Sequence, residues 1–242
     1  MFFTRIPIKW SFFSDKPPDL TRAAWSFPLV GFLIGFLTGV VGDYLIYIGL
    51  PVFLSAVIAI TLSVLLTGAL HEDGLADTSD GLGAGGSPKK INKIIHDSRL
   101  GTYGVVALVL GLLLRLGLII ALIEQEYSLV CIFSIGFATG KLAIIFSRNV
   151  FNQSEFAEIG SIVGIISKKK LYLATLIWIV PTFIIFPIYG ILLGLILAFF
   201  SIFLMGLKSK NALGGITGDI LGAIAFLTEL TFLLGNVIVM VI

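Results

Sequence analysis

The sequence predicts an all-α integral membrane protein, a polytopic bundle of about seven transmembrane helices that forms one domain over residues 1–242. Of the 242 residues, 57% are hydrophobic and only 12% are charged, which is about half the charged share of a soluble domain. A soluble fold of this length cannot bury so much apolar surface. The apolar runs are continuous rather than alternating, which favours helices over a transmembrane barrel.

The length of the apolar runs predicts where the chain crosses the membrane, because a spanning helix needs about 20 apolar residues. The predicted spans are 27–48, 51–70, 103–123, 129–147, 171–187, 191–207 and 219–242. The fifth and sixth have a second interpretation as one broken hairpin, since Pro181 and Pro187 interrupt that region. The longer connections are predicted at about 71–102, 148–170 and 208–218.

The basic residues predict the orientation of these spans. Fourteen of the 16 lysines and arginines precede the first span or lie between spans two and three, four and five, or six and seven. They are Arg5, Lys9, Lys16, Arg22, Lys89, Lys90, Lys93, Arg99, Arg148, Lys168, Lys169, Lys170, Lys208 and Lys210. With seven spans, all four segments lie on one side, which the positive-inside rule makes cytoplasmic. We therefore expect a cytoplasmic N-terminus and an active site built from the longer, cytoplasmic connections.

The densest polar motif, HEDGLADTSDGLG, follows the second span. Asp73, Asp77 and Asp80 are spaced four and three residues apart, so a helix places all three on one side. Like charges at this spacing repel each other, and a divalent cation reverses that repulsion. Oxygen ligands without a nearby thiolate suit Mg²⁺ or Mn²⁺. The other interpretation is a solvated acidic helix end.

Two further motifs flank later spans. HDSRLGTYG contains Asp97 and Arg99, and the planar guanidinium of Arg99 suits a phosphate. GGITGDILGA opens the last span and carries Asp219, at the membrane depth predicted for the acidic motif. Asp219 therefore completes a predicted metal site from another helix, with a helix-capping carboxylate as the alternative.

Arg115, Lys141 and Glu229 lie well inside the predicted spans, where charge is costly and faces the protein interior. Arg115 and Glu229 are each about 15–18 Å from the cytoplasmic end, so we predict that they pair. Lys141 is about 9–10 Å deep. It is a candidate for binding a substrate phosphate, and snorkelling to the surface is its alternative.

Taken together, HEDGLADTSDGLG, HDSRLGTYG and GGITGDILGA, in this order, resemble the cobalamin synthase family. The segments TRIP (4–7) and FPLVGFLIG (27–35) resemble its opening motifs. The resemblance covers most of the chain, from about 4 to 223. Glu72 departs from the pattern, since an apolar residue is expected there in many relatives, and it is not counted as a ligand.

The resemblance implies a Mg²⁺-dependent enzyme in a prokaryotic inner or plasma membrane. Its substrates would be adenosylcobinamide-GDP and α-ribazole or its 5′-phosphate, and its products adenosylcobalamin or its 5′-phosphate and GMP. The metal ligands would be Asp73, Asp77, Asp80 and Asp219. Arg99 and Lys141 would bind phosphate, Asp80 or Asp97 would accept the hydroxyl proton, and His71 is a further catalytic candidate.

Alternative functions remain open at this point. A CDP-alcohol phosphotransferase that makes phospholipids has a related acidic motif, but Asp77 replaces its Arg and Asp80 follows too soon. A cation transporter would place its carboxylates near the middle of the membrane, and a purely structural subunit would not need phased carboxylates. The net charge of +2 gives no reason to expect a nucleic-acid partner. Glycine-rich spans suit either a homo-oligomer or packing within one chain.

Overall fold

The computed structural model describes residues 2–7, 19–157 and 163–241. Lys9 and Lys16, used in the orientation argument, lie outside these residues. The helices within the described ranges are α1 (Leu20–Ala23), α2 (Phe27–Tyr47), α3 (Val52–Thr67), α4 (Leu70–Ala84), α5 (Pro88–Ile95), α6 (Thr102–Glu124), α7 (Leu129–Val150), α8 (Lys168–Ile185), α9 (Ile188–Leu213) and α10 (Gly218–Val241). A short 3-10 turn, Ala24–Ser26, joins α1 to α2. The protein is therefore a polytopic helical membrane protein, as predicted.

Each of the seven predicted spans corresponds to a helix, but not all are long and apolar enough to cross a membrane alone. In the described chain, α2 (with α1), α6, α7, α9 and α10 meet that condition. Helix α3 meets it only together with α4, from which it is bent by 85°. Helix α8 is not among them, because its first turn consists of lysines and its apolar part is correspondingly short. The structure thus supports five or six spans.

The region of Pro181 and Pro187 forms two separate helices, α8 and α9. Pro181 lies inside α8 without ending it, and Pro187 caps the start of α9. The chain turns between them at Phe186.

Glycines set the close packing of the bundle. Gly31, Gly35 and Gly39 line one side of α2, where an added Cβ would collide with the backbone of α7. Gly194 of α9 and Gly235 of α10 meet in the same way. Close contact of this kind is how helices associate in a membrane. These glycine stripes are therefore used within one chain.

The four basic segments meet at one end of the bundle. The amide of Arg5 donates to the Leu66 carbonyl (2.7 Å) at the end of α3, and that of Gly164 to the Thr21 hydroxyl (2.7 Å). The Ser154 hydroxyl donates to the Leu213 carbonyl (2.6 Å) at the end of α9. The contacts place the ends of α3 and α9 and the start of α2 on one face, as the charge pattern predicted.

The predicted connections are shorter and more helical than expected. Most of 71–102 forms α4 and α5, so the acidic motif is helical, as its spacing indicated. Lys208 and Lys210 belong to the last turns of α9, which leaves only four residues, 214–217, between α9 and α10. The predicted loop at 208–218 was wrong in extent, because the helix continues past its apolar part.

Candidate functional site

Helix α4 leaves α3 through an elbow and crosses α10. Gly68 and Ala69 both adopt left-handed backbone conformations (φ +68° and +58°), and these turn the chain. At the crossing, a Cβ on Gly74 would lie 2.7 Å from the Asp219 carbonyl oxygen. A Cβ on Gly222 would lie 3.4 Å from the Gly74 Cα. The two glycines therefore let the acidic motif lie directly against the start of α10.

A cavity of about 250 Å³ opens beside this crossing. Its polar lining comes from the three sequence motifs, and its apolar walls come from the N-terminal segment, α7 and the connection after α7. The polar lining residues are His71, Asp73, His96, Thr217 and Asp219. The structure thus brings together motifs that lie more than a hundred residues apart in sequence.

The carboxylates at the cavity form one negatively charged group. Burial, together with the charges of Asp73, Asp219 and Asp80, raises the pKa of Asp77 to about 7. Within the described chain, the carboxylates of Asp73 and Asp77 accept no hydrogen bond and form no ion pair. The group therefore carries negative charge that a cation would compensate.

These donors fit a magnesium ion in their chemistry. Carboxylate oxygens are its preferred ligands, and Asp73, Asp77 and Asp219 approach one region from two crossing helices. Among the described residues, no three histidine, cysteine or acidic side chains already stand at metal-binding distances. Binding of one ion by all three would therefore require these carboxylates to turn toward each other.

Asp80 has a different environment from the one predicted for a metal ligand. It is buried, and its two oxygens accept backbone hydrogen bonds from Gly101 (2.7 Å) and Gly104 (2.8 Å). A carboxylate at this position satisfies free amides at the start of α6 and compensates the helix dipole. In the structure, Asp80 therefore anchors α6 to α4.

Asp97 and Arg99, predicted as a proton acceptor and a phosphate ligand, are bound to each other. The Arg99 guanidinium donates to Asp97 (Nη2 to Oδ2, 2.9 Å), and this hydrogen bond lowers the pKa of Asp97. The pair faces a separate cavity, which Asp80 also lines, and Arg99 is largely exposed. It does not line the cavity of Asp73 and Asp219.

The predicted pair of Arg115 and Glu229 is confirmed, and Glu72 joins it. Arg115 donates to Glu229 (Nη2 to Oε2, 2.9 Å) and to Glu72 (Nη1 to Oε1, 2.7 Å). The guanidinium also lies over the Phe226 ring, 4.3 Å from its centroid. Buried charges are stable only when paired and hydrogen-bonded, so this ion group ties α4, α6 and α10 together.

Lys141, the other predicted phosphate ligand, belongs to the same buried region. It is only 2% exposed, and its Nζ lies 4.7 Å from the Phe137 ring centroid. It does not line the cavity of Asp73 and Asp219. Its charge balances the second acid of the group, which makes the set of Glu72, Arg115, Lys141 and Glu229 neutral.

Sequence reasoning missed Glu72, although a signal existed. Arg115 and Lys141 are two cations deep within the predicted spans, and Glu229 is the one anion at a comparable depth, which indicates a second acid nearby. Sequence reasoning also missed His96, which lines the cavity while its Nδ1 contacts the Asn92 carbonyl (2.9 Å).

His71 lies where the cavity meets the buried ion group. It lines the cavity, and its Nε2 is buried with no hydrogen-bond partner in the described chain. Burial lowers the pKa of His71 well below its ordinary value, and the charges of Lys141 and Arg115 lower it further. The ring is therefore neutral at neutral pH.

Comparison with known proteins gives a consistent result along the whole chain. The sequence pattern of the family described as cobalamin-5-phosphate synthase matches residues 1–237. An adenosylcobinamide-GDP ribazoletransferase from Azorhizobium caulinodans is 36% identical, over 98% of this chain and 92% of the relative. One from Clostridium botulinum strain Langeland is 34% identical, over 96% and 93%.

One from Xanthobacter autotrophicus is 36% identical, over 98% of this chain and 93% of the relative. No solved structure matches the chain. The three motifs that meet at the crossing of α4 and α10 all lie inside the matched residues, and the chain belongs to the cobalamin-5-phosphate synthase family.

Proposed function

We propose that this protein is an adenosylcobinamide-GDP ribazoletransferase, which joins adenosylcobinamide-GDP to α-ribazole, or to its 5′-phosphate, and releases GMP. The observation that carries the proposal is the group of carboxylates, Asp73, Asp77 and Asp219, that α4 and α10 bring together beside one cavity. The names of the relatives supply the substrates.

The reaction explains why such a group is needed. A ribazole hydroxyl oxygen attacks the pyrophosphate phosphorus that stays with the cobinamide, and the bond from this phosphorus to the oxygen of GMP breaks. The attacking group is a weak nucleophile, and the pyrophosphate is negatively charged. Catalysis of phosphoryl transfer consists mainly of positioning and charge neutralisation.

We propose that Asp73, Asp77 and Asp219 would hold Mg²⁺, which would supply positive charge to the pyrophosphate and to the departing phosphate. Asp80 keeps its two backbone hydrogen bonds and holds α6 against α4. His71, with its unpaired Nε2, is assigned to the ribazole hydroxyl, where a neutral imidazole is able to accept a hydrogen bond.

The size of the cavity limits what enters it. About 250 Å³ accommodates a nucleoside but not a corrinoid, since ligand sites are matched in volume to what they enclose. We therefore place the ribazole inside and the corrin ring at the mouth. This end of the bundle carries the basic segments, so we place it on the cytoplasmic side of a prokaryotic inner or plasma membrane.

The alternative functions have less support. A cation pathway needs uncompensated carboxylates at membrane depth, and here Glu72 and Glu229 are both bonded to Arg115. A CDP-alcohol phosphotransferase is disfavoured by family membership over 1–237.

One assay tests the proposal. Protein purified in detergent is given Mg²⁺, adenosylcobinamide-GDP and α-ribazole, and GMP and cobalamin are quantified by chromatography. We expect equimolar GMP and cobalamin with wild type, and also with Glu124→Gln, an exposed acid at the far end of α6. Absence of both products under conditions where the protein is folded would contradict the proposal.

A further inference from the structure

A second cavity, of about 340 Å³, lies among α7, α8 and α9. Helices α8 and α9 are consecutive but contact each other little, so a groove remains between them with α7 as its floor. Residues of α7, α8 and α9 form most of its walls, among them Thr139, Trp178 and Ala198, and Thr228 of α10 also lines it.

The groove presents an apolar surface, because its polar side chains are bonded within the protein. The indole nitrogen of Trp178 donates to the Thr139 hydroxyl (2.7 Å). Thr139 and Thr175 donate to helix carbonyls of their own preceding turns. A ligand of this groove is therefore bound by apolar contact, as an acyl chain would be.

Basic residues lie near one end of the groove, in the first turn of α8. The lining residues of α8, namely 171, 175 and 178, continue a helical stripe that begins three residues earlier, at Lys168. Lys168 is exposed, as is Lys169 on the neighbouring face, whereas Lys170 donates to the Thr21 carbonyl (3.4 Å). Helical periodicity therefore places Lys168 on the same side of α8 as the groove lining, one turn before Leu171.

The length of the stripe matches one leaflet of a bilayer. From Lys168 to Ile179 the helix rises about 16 Å, and half of the hydrocarbon core is about 15 Å thick. An acyl chain that starts at the level of the lysine would thus reach the bottom of the groove near the middle of the membrane.

We propose that this groove binds an anionic phospholipid, with an acyl chain between α8 and α9 and the headgroup phosphate beside Lys168. The ligand fills the gap that the two helices leave open and pairs with the basic first turn of α8. Basic residues at the membrane surface next to a gap between helices are a known way of recognising acidic lipids.

Native mass spectrometry of the protein in mild detergent tests the proposal, with added phosphatidylglycerol or phosphatidylcholine of the same acyl chains. We expect one phosphatidylglycerol to be retained in preference to phosphatidylcholine. Lys168→Gln should weaken this retention about fivefold, while Lys169→Gln, the same charge change on the adjacent face, should have a smaller effect. Ala198→Leu, which fills the groove and keeps Lys168, should remove the bound lipid of either kind.

Three results would overturn the proposal. They are equal retention of the two lipids by wild type, equal losses in Lys168→Gln and Lys169→Gln, and full retention in Ala198→Leu. Circular dichroism of each variant checks that it is folded. If Ala198→Leu does not fold, Thr175→Leu blocks the same groove from α8 and replaces it in the test.

Discussion

Glu72 and Asp73 are neighbours in sequence with opposite environments. Glu72 is buried and accepts a hydrogen bond from Arg115 (2.7 Å), whereas Asp73 is exposed beside the cavity and has no partner in the described chain. One face of α4 thus supplies a paired internal charge, and the other supplies unpaired carboxylates. The difference teaches that partners, rather than charge alone, separate the residues that hold the helices from those available to a ligand.

The largest effect on activity is expected at Asp73 and Asp77, whose carboxylates have no partner in the described chain. Asp73→Asn or Asp77→Asn should lower the rate of GMP release about 10³-fold, because the lost carboxylate would have held the ion that neutralises the pyrophosphate. Steady-state assays at saturating substrate measure this. The protein should remain folded, since neither carboxylate has a bonding partner to lose. Near wild-type turnover in both variants would contradict the assignment.

Substitutions in the buried ion group of Glu72, Arg115 and Glu229 should change the stability of the protein instead. Arg115→Met leaves Glu72 and Glu229 buried without their partner, which should lower the free energy of unfolding by about 3–5 kcal/mol. Unfolding by denaturant in detergent measures it. In a double-mutant cycle, Arg115→Met and Glu229→Gln should be strongly non-additive; additive effects would mean that the two do not interact in solution.

The crossing of α4 and α10 brings the carboxylates of the two helices together, and a substitution of Gly74 tests how much this crossing matters. Gly74→Ala places a methyl group 2.7 Å from the Asp219 carbonyl oxygen, so α4 and α10 must separate and the carboxylates move apart. We expect at least a tenfold rise in the Mg²⁺ concentration needed for half-maximal activity. Gly117→Ala, on the same bundle with nothing within 4 Å of its new Cβ, is the matched control and should behave as wild type. Identical Mg²⁺ requirements in both variants would show that the crossing is unimportant.

Asp80 belongs neither to the buried ion group around Arg115 nor to the carboxylates proposed to hold the metal. Its substitutions therefore separate a structural role from a role in metal binding. Asp80→Ala removes an acceptor for two amides at the start of α6 and should cost about 1–2 kcal/mol of stability. Asp80→Asn keeps one oxygen acceptor and should retain more of that stability. Thermal unfolding compares them. A large loss of Mg²⁺ affinity in Asp80→Asn with unchanged stability would make Asp80 a ligand after all.

The smallest expected effect is on the pH dependence of thermal stability. The pKa of Asp77 is raised to about 7, so in the metal-free protein this group disfavours the folded state above pH 7 and does so less as pH falls toward its unfolded pKa. The Tm without Mg²⁺ should therefore rise slightly on acidification through pH 7, and Asp77→Asn should lack this component. The half-saturating Mg²⁺ concentration should increase over the same range. A Tm profile that is identical in wild type and Asp77→Asn would contradict the raised pKa.

Much of the fold could be predicted from local properties of the sequence, namely run length, residue spacing and charge. Apolar run length located the helices, and the spacing of Asp73 and Asp77 predicted that the acidic motif is helical. The cost of charge in an apolar core predicted that Arg115 and Glu229 pair. Family resemblance supplied the reaction, which composition alone does not.

The relative arrangement of the helices could not be predicted from the sequence. The elbow at Gly68 and Ala69 and the crossing at Gly74 decide which carboxylates meet. Asp80 has the same spacing and charge as its neighbours, yet it faces the start of α6, and only the packed structure reveals that partner. Lys141 likewise has a depth that suits a phosphate ligand, but its Nζ lies over the Phe137 ring and it does not line the cavity of Asp73 and Asp219.

The most direct test of the metal site is Mn²⁺ binding, followed by electron paramagnetic resonance of protein in detergent with adenosylcobinamide-GDP present. Mn²⁺ replaces Mg²⁺ because both prefer oxygen ligands. The account predicts tight binding by wild type, Glu124→Gln and Asp80→Asn, and binding at least about tenfold weaker in Asp73→Asn, Asp77→Asn and Asp219→Asn. Equal Mn²⁺ affinity in wild type and these three variants would contradict the central claim that α4 and α10 together hold the ion.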